Sequence, residues 1–309
     1  MASLIQQLSI LDRSPCGILE LTGADRETFL QGMVSNNVVG LAAGDTRHAA
    51  LLDTTGHILA DLHIHARPDT LVVETDPACL EVLSATLNRF LIMEDVQIAD
   101  VSDQWAVVAV LGEQPADFLE LLPALPGHAA AASFPIPPGV DLWLPAAEKD
   151  AARNILLDAG AVPLSAEDAE ALRIDAGIPK WGAELSPAIL LPEAEMLDAV
   201  SYTKGCYVGQ EIVARLQARG HTNKALRQIL LAEDAPVPPV GATIHVPEDG
   251  PEPGREIGTV TSAAASPSRE GQAIVLGYVR KEYFASGTAV SVQITQPNGL
   301  VFSYPAEVL

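Results

Sequence analysis

The C-terminal part of the chain constrains the fold most. The spacing of apolar residues that is typical of helices ends at Ala225, and from there to Leu309 short β-forming runs alternate with glycine-containing turns. The six runs cover residues 226–231, 243–246, 257–261, 273–279, 289–294 and 301–303. Short strands joined by such turns are typical of small barrels. We therefore predict a closed or half-closed β-barrel over residues 225–309, and a separate body over residues 1–224.

The body mixes strands with helices. The predicted strands are residues 17–21, 49–53, 58–65, 70–75, 96–101, 105–111 and 140–144, and the predicted helices are residues 25–34, 77–90, 148–159 and 165–176. A turn at residues 54–56 indicates a hairpin. Helices that connect the strands of an antiparallel sheet are typical of ferredoxin-like units. The sequence therefore predicts an α+β body made of two ferredoxin-like portions.

Residues 204–211 have the sequence Lys-Gly-Cys-Tyr-Val-Gly-Gln-Glu and precede a predicted helix in which Glu211 and Arg215 are spaced to pair. Cys206 is thus predicted in a turn near a helix N-terminus, where unpaired N–H groups favour negative charge. Lys204 adds a positive charge nearby. Both effects lower the pKa of a thiol and favour the thiolate, which attacks electrophiles and binds metals. The alternative is that Cys206 is a small, buried, apolar residue.

The charge of the chain restricts its partners. There are 18 basic and 40 acidic residues, which gives a formal net charge of -22. Such a chain repels nucleic-acid backbones and anionic membranes. We therefore predict no direct nucleic-acid partner and no membrane partner. The dense basic stretch at residues 204–227 is suited to a small anion.

The cysteines indicate a reducing compartment. The chain has three cysteines, an odd number, and none of them belongs to a C-x-x-C pair; they are Cys16, Cys79 and Cys206. A disulfide framework and an all-protein zinc site are therefore not expected. The sequence shows no signal-peptide or transit-peptide pattern, and no apolar run long enough to cross a bilayer. We expect a soluble, cytoplasmic protein.

The octapeptide resembles the K-G-C-[FY]-x-G-Q-E signature of the YgfZ family of folate-binding proteins. That family is related to the T-protein of the glycine cleavage system, an aminomethyltransferase. Further similarity lies in residues 21–32, in the Asn36-Asn37 pair and in the hairpin at residues 52–61. The resemblance implies a fold of the GcvT/YgfZ type, in which α/β halves and a C-terminal barrel surround a central, folate-sized channel.

The resemblance also implies a function. The expected cofactor is tetrahydrofolate or a derivative, and the expected role is that of an accessory protein in the assembly or repair of iron–sulfur proteins, including those of tRNA modification. The implied partners are A-type iron–sulfur carriers or client proteins. Cys206 is the candidate reactive residue, with Lys204 as the cation that stabilises its thiolate. Cys206 is also a candidate ligand to a cluster shared with a partner, and no other metal ligand is expected. The candidate cofactor-binding residues are Asp61, Asn36, Tyr207, Gln210, Glu211, Arg215 and Trp181.

The chain departs from the aminomethyltransferase pattern at several points. The hairpin of that enzyme carries an Asp-Asp pair, which is replaced here by Ala60-Asp61. The Thr-Gly-Glu segment of that enzyme has no match in this chain around residues 137–142. The enzyme, in turn, does not share the Lys-Gly-Cys triplet of this chain. A folate-dependent one-carbon transferase, which would depend on Asp61, is therefore the alternative function. A folate-storing protein without a reactive centre is a third hypothesis.

Three histidines lie close together in the sequence. His63 and His65 share one face of a predicted strand, as a pair of metal ligands requires, and His57 lies in the adjoining turn. A polar strand face is the interpretation that we favour.

Overall fold

The structure is a computed structural model that describes residues 8–112, 128–131, 139–220, 222–248, 252, 254–295 and 299–309. The strands of the body are β1 (Ser9–Asp12), β2 (Gly17–Thr22), β3 (Thr46–Leu52), β4 (Ile58–Ala66), β5 (Leu71–Thr75), β6 (Gln97–Asp100), β7 (Trp105–Leu111), β8 (His128–Ala131), β9 (Gly139–Pro145) and β10 (Val162–Pro163). The helices are α1 (Arg26–Met33), α2 (Leu80–Phe90), α3 (Lys149–Asp158), α4 (Ala166–Asp175) and α5 (Gln210–Arg219). None of the helices in these ranges is long and apolar enough to span a membrane.

The first sheet of the body has the strand order β3-β4-β5-β2-β6, and all of its neighbouring strands are antiparallel. The order of β4, β5, β2 and β6, with α1 and α2 as connections, is that of a ferredoxin-like unit, to which β3 adds an edge strand. Apolar residues of α1 and α2 pack on one face of the sheet, among them Leu30 and Leu83, which are fully buried. The other face is therefore left to contact the rest of the molecule.

The second sheet has the order β10-β1-β7-β9-β8 and packs against the first. A shared apolar cluster joins Ile18 and Val72 of the first sheet to Val107 and Trp143 of the second. The pairing of β1 with β10 is parallel, whereas the other pairs are antiparallel. Neither β1 nor β10 is predicted from the sequence, because strands of four and two residues are too short to show a period.

The C-terminal barrel is closed, with the order β11-β14-β13-β12-β15-β16. Its strands are β11 (Lys224–Leu231), β12 (Thr243–His245), β13 (Glu256–Ala265), β14 (Ala273–Arg280), β15 (Ala289–Thr295) and β16 (Val301–Val308). The predicted barrel is confirmed, and the α+β class of the whole chain with it. The inward-facing side chains, such as Ile229, Val260 and Val292, fill the barrel as an apolar core.

A long segment between α4 and α5 connects the body to the barrel, and it contains only 3₁₀ turns, at Leu191–Ala194 and Leu197–Ala199. A buried ion pair ties it in place: Arg173 Nη1 of α4 donates to Glu184 Oε2 over 2.9 Å. Glu184 Oε1 also accepts from Ser262 Oγ of β13 over 2.6 Å. The Glu184 carboxylate of the segment therefore binds both α4 and the barrel and holds the three parts together.

Candidate functional site

Two adjoining cavities form a channel between the first sheet, residues 177–181 and the barrel. Their volumes are about 360 and 540 Å³, which lies within the range of small-molecule sites. The residues that line both cavities are Asp61, His63, Ile178 and Pro179. The two cavities therefore adjoin each other at Asp61, which lines both.

Strand alternation places Asp61 in the channel and its neighbour in the core. Successive side chains of β4 point to opposite faces of the sheet, so Ala60 is fully buried in the apolar cluster beneath α1. The Asp61 side chain is 25% exposed on the other face. A carboxylate at position 60 would lie in an apolar environment without partners, at a high cost.

His48 of β3 holds Asp61 in place. Its Nε2 is 2.7 Å from Asp61 Oδ1, and its Nδ1 is 2.7 Å from Asp198 Oδ2. Burial opposes a positive charge on His48, but the hydrogen bonds to Asp198 and Asp61 outweigh it and raise the pKa to about 10. The ring is therefore an imidazolium at neutral pH and donates from both nitrogens. Asp61 Oδ2 receives no hydrogen bond from the residues that the structure describes, so it can accept one from a ligand.

The other histidines have separate roles. The His63 ring stacks on the His48 ring with centroids 4.8 Å apart, and burial lowers its pKa to about 4, so that it is neutral. His65 Nε2 lies 3.3 Å from Glu74 Oε2, and His57 Nδ1 lies 2.8 Å from the Thr55 hydroxyl. Within the described residues, no three His, Cys, Asp or Glu side chains are arranged to hold a metal ion.

One wall of the smaller cavity contains a buried charge network. Arg13 donates to Glu74 over 2.5 Å and to Asp141 over 2.6 Å. Burial opposes ionisation of Glu74, but the Arg13 guanidinium and the His65 hydrogen bond hold the pKa of Glu74 well below its usual range. Cys16 also lines this cavity, and burial together with the Glu74 charge raises the pKa of its thiol.

Aromatic and cationic side chains lie at different positions along the channel. Trp181 lines the smaller cavity and packs against the cores of the first sheet and the connecting segment. Lys180 is next to it, is half-exposed, and pairs with Glu170 over 3.3 Å. Arg227 lines the larger cavity and pairs with Glu195 over 3.1 Å. The channel thus offers the Asp61 carboxylate, which lines both cavities, and a cation in each of them.

The Lys204 ammonium is an anchor for the octapeptide. It donates to the main-chain oxygens of Gln31 and Val34 over 2.5 Å each, and to that of Asn36 over 3.0 Å. These carbonyls lie at and beyond the end of α1, where a helix leaves its acceptors unpaired and favours a cation. Burial lowers the pKa of Lys204 to about 8, so the side chain remains charged at neutral pH. Its three N–H groups point to main-chain oxygens, and its predicted effect on the Cys206 thiolate stays a prediction.

Gly209 brings the octapeptide against the β3–β4 hairpin. Its φ is 83°, and a Cβ there would lie only 2.4 Å from the main-chain oxygen of Asp53. Across the same contact, a Cβ on Gly56 would lie 3.1 Å from Ile212 Cβ of α5. The turn of the hairpin and the start of α5 can approach this closely because neither glycine has a side chain.

Tyr207, Val208 and Gln210 complete the local packing. The Val208 N–H donates to the Gly32 carbonyl over 3.3 Å, and Gln210 Oε1 accepts from the Tyr207 N–H over 3.0 Å. Tyr207 packs in the apolar cluster of the connecting segment, and its ring centroid lies 5.0 Å from Lys204 Nζ. These contacts fix the conformation of the loop and the start of α5.

Cys206, Glu211 and Arg215 differ from the rest of this region. All three are exposed, and their side chains form no hydrogen bond or ion pair within the part of the chain that the structure describes. The pair expected between Glu211 and Arg215 is therefore not formed, because both side chains extend into solvent. The alternative of a buried Cys206 is wrong. By contrast, Cys16 and Cys79 are buried, and burial with the nearby Asp76 raises the pKa of Cys79 to about 12.

The sequence-predicted residues thus fall into two places. Asp61 and Trp181 line the channel, whereas the octapeptide residues and Arg215 line neither of its two cavities. The octapeptide is anchored to α1, which packs on the face of the sheet opposite to Asp61. Asn36 lies behind the channel wall, where its Nδ2 donates to the His48 oxygen over 2.8 Å and to the Asp198 oxygen over 2.7 Å.

Two functional residues were missed from the sequence, His48 and Asp198. In the β3–β4 pairing His48 lies opposite His63, so the two side chains share the channel face. A prediction of this strand register from the hairpin turn would therefore have identified His48. Asp198 comes from a 3₁₀ turn 150 residues away, and no local pattern points to it.

Comparison with known proteins agrees with this architecture. Residues 1–134 match the family model described as the GCVT N-terminal domain, and residues 224–309 match the glycine cleavage T-protein C-terminal barrel domain. The chain belongs to the GcvT/YgfZ family. An aminomethyltransferase of Exiguobacterium sibiricum is 28% identical, over 92% of this chain and 81% of its own length. The tRNA-modifying protein YgfZ of Yersinia pseudotuberculosis is 29% identical, over 71% of this chain and 70% of its own.

The fold of the family is also seen in a solved structure. The aminomethyltransferase T of the glycine cleavage system from Bartonella henselae superposes with a TM-score of 0.85, over 99% of this chain and 86% of that one, at 19% identity. The GcvT-like fold, with a mixed α+β body and a closed C-terminal barrel, is thereby confirmed.

Proposed function

We propose that this protein binds a reduced folate and acts as an accessory factor in the assembly or repair of iron–sulfur proteins, including those of tRNA modification. Cys206 is the residue through which it acts. The observation that carries the proposal is the division of roles within residues 204–211. Lys204, Gly209 and Gln210 hold the loop through identified contacts, whereas the Cys206 thiol projects into solvent with none. A loop fixed in this way presents a free thiol to a partner. The relatives named tRNA-modifying protein YgfZ support the proposal that the client proteins include those of tRNA modification.

The channel is suited to tetrahydrofolate or a derivative. Asp61 Oδ2 can accept a hydrogen bond from an N–H group of a pterin, while the His48 imidazolium donates to Oδ1 and fixes the carboxylate in place. Trp181 offers an aromatic surface for a ring in the smaller cavity. Arg227 in the larger cavity offers a cation for the glutamate carboxylates of the ligand.

The chemistry of Cys206 requires a partner. A thiolate is a soft ligand of the kind that binds iron–sulfur clusters, which are held by several cysteines. Cys206 is the exposed cysteine of this chain, so a partner must supply the other ligands of a shared cluster. A-type iron–sulfur carriers and client proteins are the partners that we propose, in the reducing cytoplasm where free thiols persist. Attack of the Cys206 thiolate on an electrophile carried by the folate is not part of the proposal, because Cys206 lines neither cavity of the channel.

The folate part of the proposal is tested by calorimetric titration with 5-formyltetrahydrofolate. Asp61→Asn removes a charged acceptor, so we expect the affinity to fall at least about tenfold. The control is Asp69→Asn, an exposed aspartate in the turn between β4 and β5, which should bind like the unchanged protein. Absence of both heat and thermal stabilisation at millimolar ligand would show that the channel is not a folate site.

The thiol part is tested in cells that lack the native factor, by the activity of their iron–sulfur enzymes. Cys206→Ser should keep the fold, because the side chain is exposed, and should fail to restore that activity. Restoration equal to that by the unchanged protein would exclude a role for the thiol.

A folate-dependent aminomethyltransferase is the second candidate. It is favoured by the structural similarity to an aminomethyltransferase and by the position of Asp61 in the channel. It ranks second because Ala60 faces the apolar core, which leaves one carboxylate of the Asp-Asp pair. Release of ammonia from an aminomethyl-lipoyl donor at about 1–1,000 per second, the usual range of enzymes, would reverse this order.

A further inference from the structure

The wall of the larger cavity leads directly into the loop that carries Cys206. One side of that cavity is lined by residues of the connecting segment, which are Ala194, Glu195, Met196 and Asp198. The thiol loop, residues 200–208, begins two positions after Asp198. A ligand in the larger cavity therefore lies against the chain a short distance before the thiol, although Cys206 itself lines neither cavity.

Asp198 holds this wall to the first sheet through His48. The His48 ring lies 2.7 Å from Asp198 Oδ2 and 2.7 Å from Asp61 Oδ1, and all three side chains line the larger cavity. The Asp61, His48 and Asp198 side chains are 25%, 20% and 74% exposed, so water competes for these charged groups. A ligand that fills the cavity excludes this water, and a charged hydrogen bond is stronger where the local dielectric is lower. Filling the cavity therefore strengthens the bond between Asp198 and the sheet.

Asn36 joins the same wall to the anchor of the octapeptide. Its Nδ2 donates to the main-chain oxygens of His48 and Asp198 over 2.8 and 2.7 Å. Its own main-chain oxygen accepts from Lys204 Nζ over 3.0 Å. Asn36 is buried, so little water competes for these bonds. The wall of the cavity and the cation that anchors the thiol loop therefore share one residue.

Ser35 makes a second connection beside Asn36. Its Oγ donates to the Ala199 oxygen over 2.6 Å, and its main-chain oxygen accepts from the Ser201 N–H over 3.0 Å. Ser35 is fully buried. The chain is therefore held on both sides of the point at which the cavity wall ends and the thiol loop begins.

The thiol loop is the part of this connection that can change its state. The structure describes all of residues 200–208, and they contain neither helix nor strand. None of these nine residues is buried. Segments with few buried contacts open locally at a low cost in free energy. The loop therefore has an anchored state, in which Lys204 holds the carbonyls after α1, and an open state, in which these bonds are broken.

We propose that a ligand in the larger cavity is coupled to the thiol loop through Asp198 and Asn36, so that the loop is held in its anchored state while the ligand is bound. The inference rests on the proposed binding of a folate in the channel. Coupling between two sites is reciprocal, so a partner that fixes the loop at Cys206 also raises the affinity for the ligand. A partner protein can in this way distinguish the loaded form of the protein from the free form.

The test is hydrogen exchange of the main-chain amides of the thiol loop, measured on the full chain with and without saturating 5-formyltetrahydrofolate. The Ser201 and Val208 N–H groups donate to the main-chain oxygens of Ser35 and Gly32, so their exchange requires the loop to open. We expect the ligand to slow this exchange at least about fivefold, which is the lower end of the usual coupling between two sites. Calorimetric titration of the same samples shows whether the ligand is bound.

Two variants and a matched control test the route. Asn36→Ala separates the cavity wall from the Lys204 anchor and should remove the effect of the ligand on the loop. Asp198→Ala breaks the bond to His48 and should do the same; its side chain is exposed, so this variant keeps the fold. The control is Asn37→Ala, the same change one position further on. The Asn37 side chain contacts Gln31 and Val39 instead of the cavity wall, so the effect of the ligand should remain.

The outcomes separate this inference from the function on which it rests. If the titration shows no binding, the proposed folate site is wrong, and the coupling is wrong with it. If the ligand binds and the exchange of the thiol loop does not change, only the coupling is wrong. Slowing that persists in both Asn36→Ala and Asp198→Ala, or that is lost equally in Asn37→Ala, overturns the route through these two residues.

Discussion

His48 is the residue on which the charge balance of the channel depends. It is a cation between Asp61 and Asp198, and it shares a stacking contact with the neutral His63. Two carboxylates facing one cavity repel each other, and a cation between them offsets that repulsion. The imidazolium therefore keeps Asp61 available as an acceptor and joins the Asp198 turn to the sheet.

The charge on His48 predicts a pH dependence of stability. The folded-state pKa of about 10 lies above the usual value near 6.5, so the stabilisation is complete below about pH 6.5 and is lost as the pH rises towards 10. We expect His48→Gln to lower the free energy of unfolding by about 2–4 kcal/mol at pH 6, and by much less at pH 9.5. Urea denaturation at both pH values measures this. The control is His57→Gln in the hairpin turn; a difference for His48→Gln that does not change with pH contradicts the prediction.

Lys204 shows how a residue can have a structural role in a functional motif. Lys204→Met keeps the length of the side chain but removes three hydrogen bonds from a charged donor to the carbonyls after α1. We expect a loss of about 1.5–3 kcal/mol in the free energy of unfolding. Lys149→Met, which removes an exposed ion pair with Asp12, should cost less than about 1 kcal/mol. Equal losses in urea denaturation would show that the Lys204 contacts add nothing.

At the scale of elements, the sequence predicts what depends on local patterns. The barrel strands and the β3–β4 hairpin follow from alternation and turn glycines, and the helix at α4 follows from its cap, in which Ser165 accepts from the Asp168 N–H over 3.0 Å. The helix predicted from residue 77 starts as a 3₁₀ turn, because the Asp76 side chain caps Ala78 N–H and proline follows. Contacts between distant elements, such as Lys204 with α1 or His48 with Asp198, have no local signal.

The contact between the octapeptide and the hairpin predicts unequal effects of two glycine substitutions. Gly209 and Gly205 both have positive φ, at 83° and 97°, but a Cβ on Gly205 meets no atom within 4 Å. Gly205→Ala should therefore cost only the backbone strain, about 1–2 kcal/mol. Gly209→Ala adds a clash with the Asp53 main chain and should cost at least about 1 kcal/mol more. If urea denaturation shows similar losses of unfolding free energy for the two variants, the hairpin moves away from the added Cβ at little cost.

At the scale of the whole molecule, the octapeptide contacts both faces of the first sheet. Its channel face carries Asp61, with the barrel and the connecting segment opposite. Val208 packs in the cluster of the helical face, whereas Tyr207 packs with Ala50 and Leu52 of the channel face. Cys206 itself lines neither of the two cavities. This arrangement depends on the barrel staying fixed against the body, and Glu184 is the residue at which the two are joined.

Glu184→Gln should weaken the connection between body and barrel. The change leaves Arg173, a residue that is 3% exposed, without its buried ionic partner, and it weakens the bonds to Thr261 and Ser262 of β13. Removal of one member of a buried pair costs about 3–5 kcal/mol, because the remaining charge stays desolvated. The matched control is Glu170→Gln, which removes the more exposed carboxylate on the same arginine and should cost no more than about 1 kcal/mol. Thermal and urea unfolding of both variants decide the matter: if Glu184→Gln is as stable as Glu170→Gln, the barrel is held to the body by its apolar contacts and not by this carboxylate.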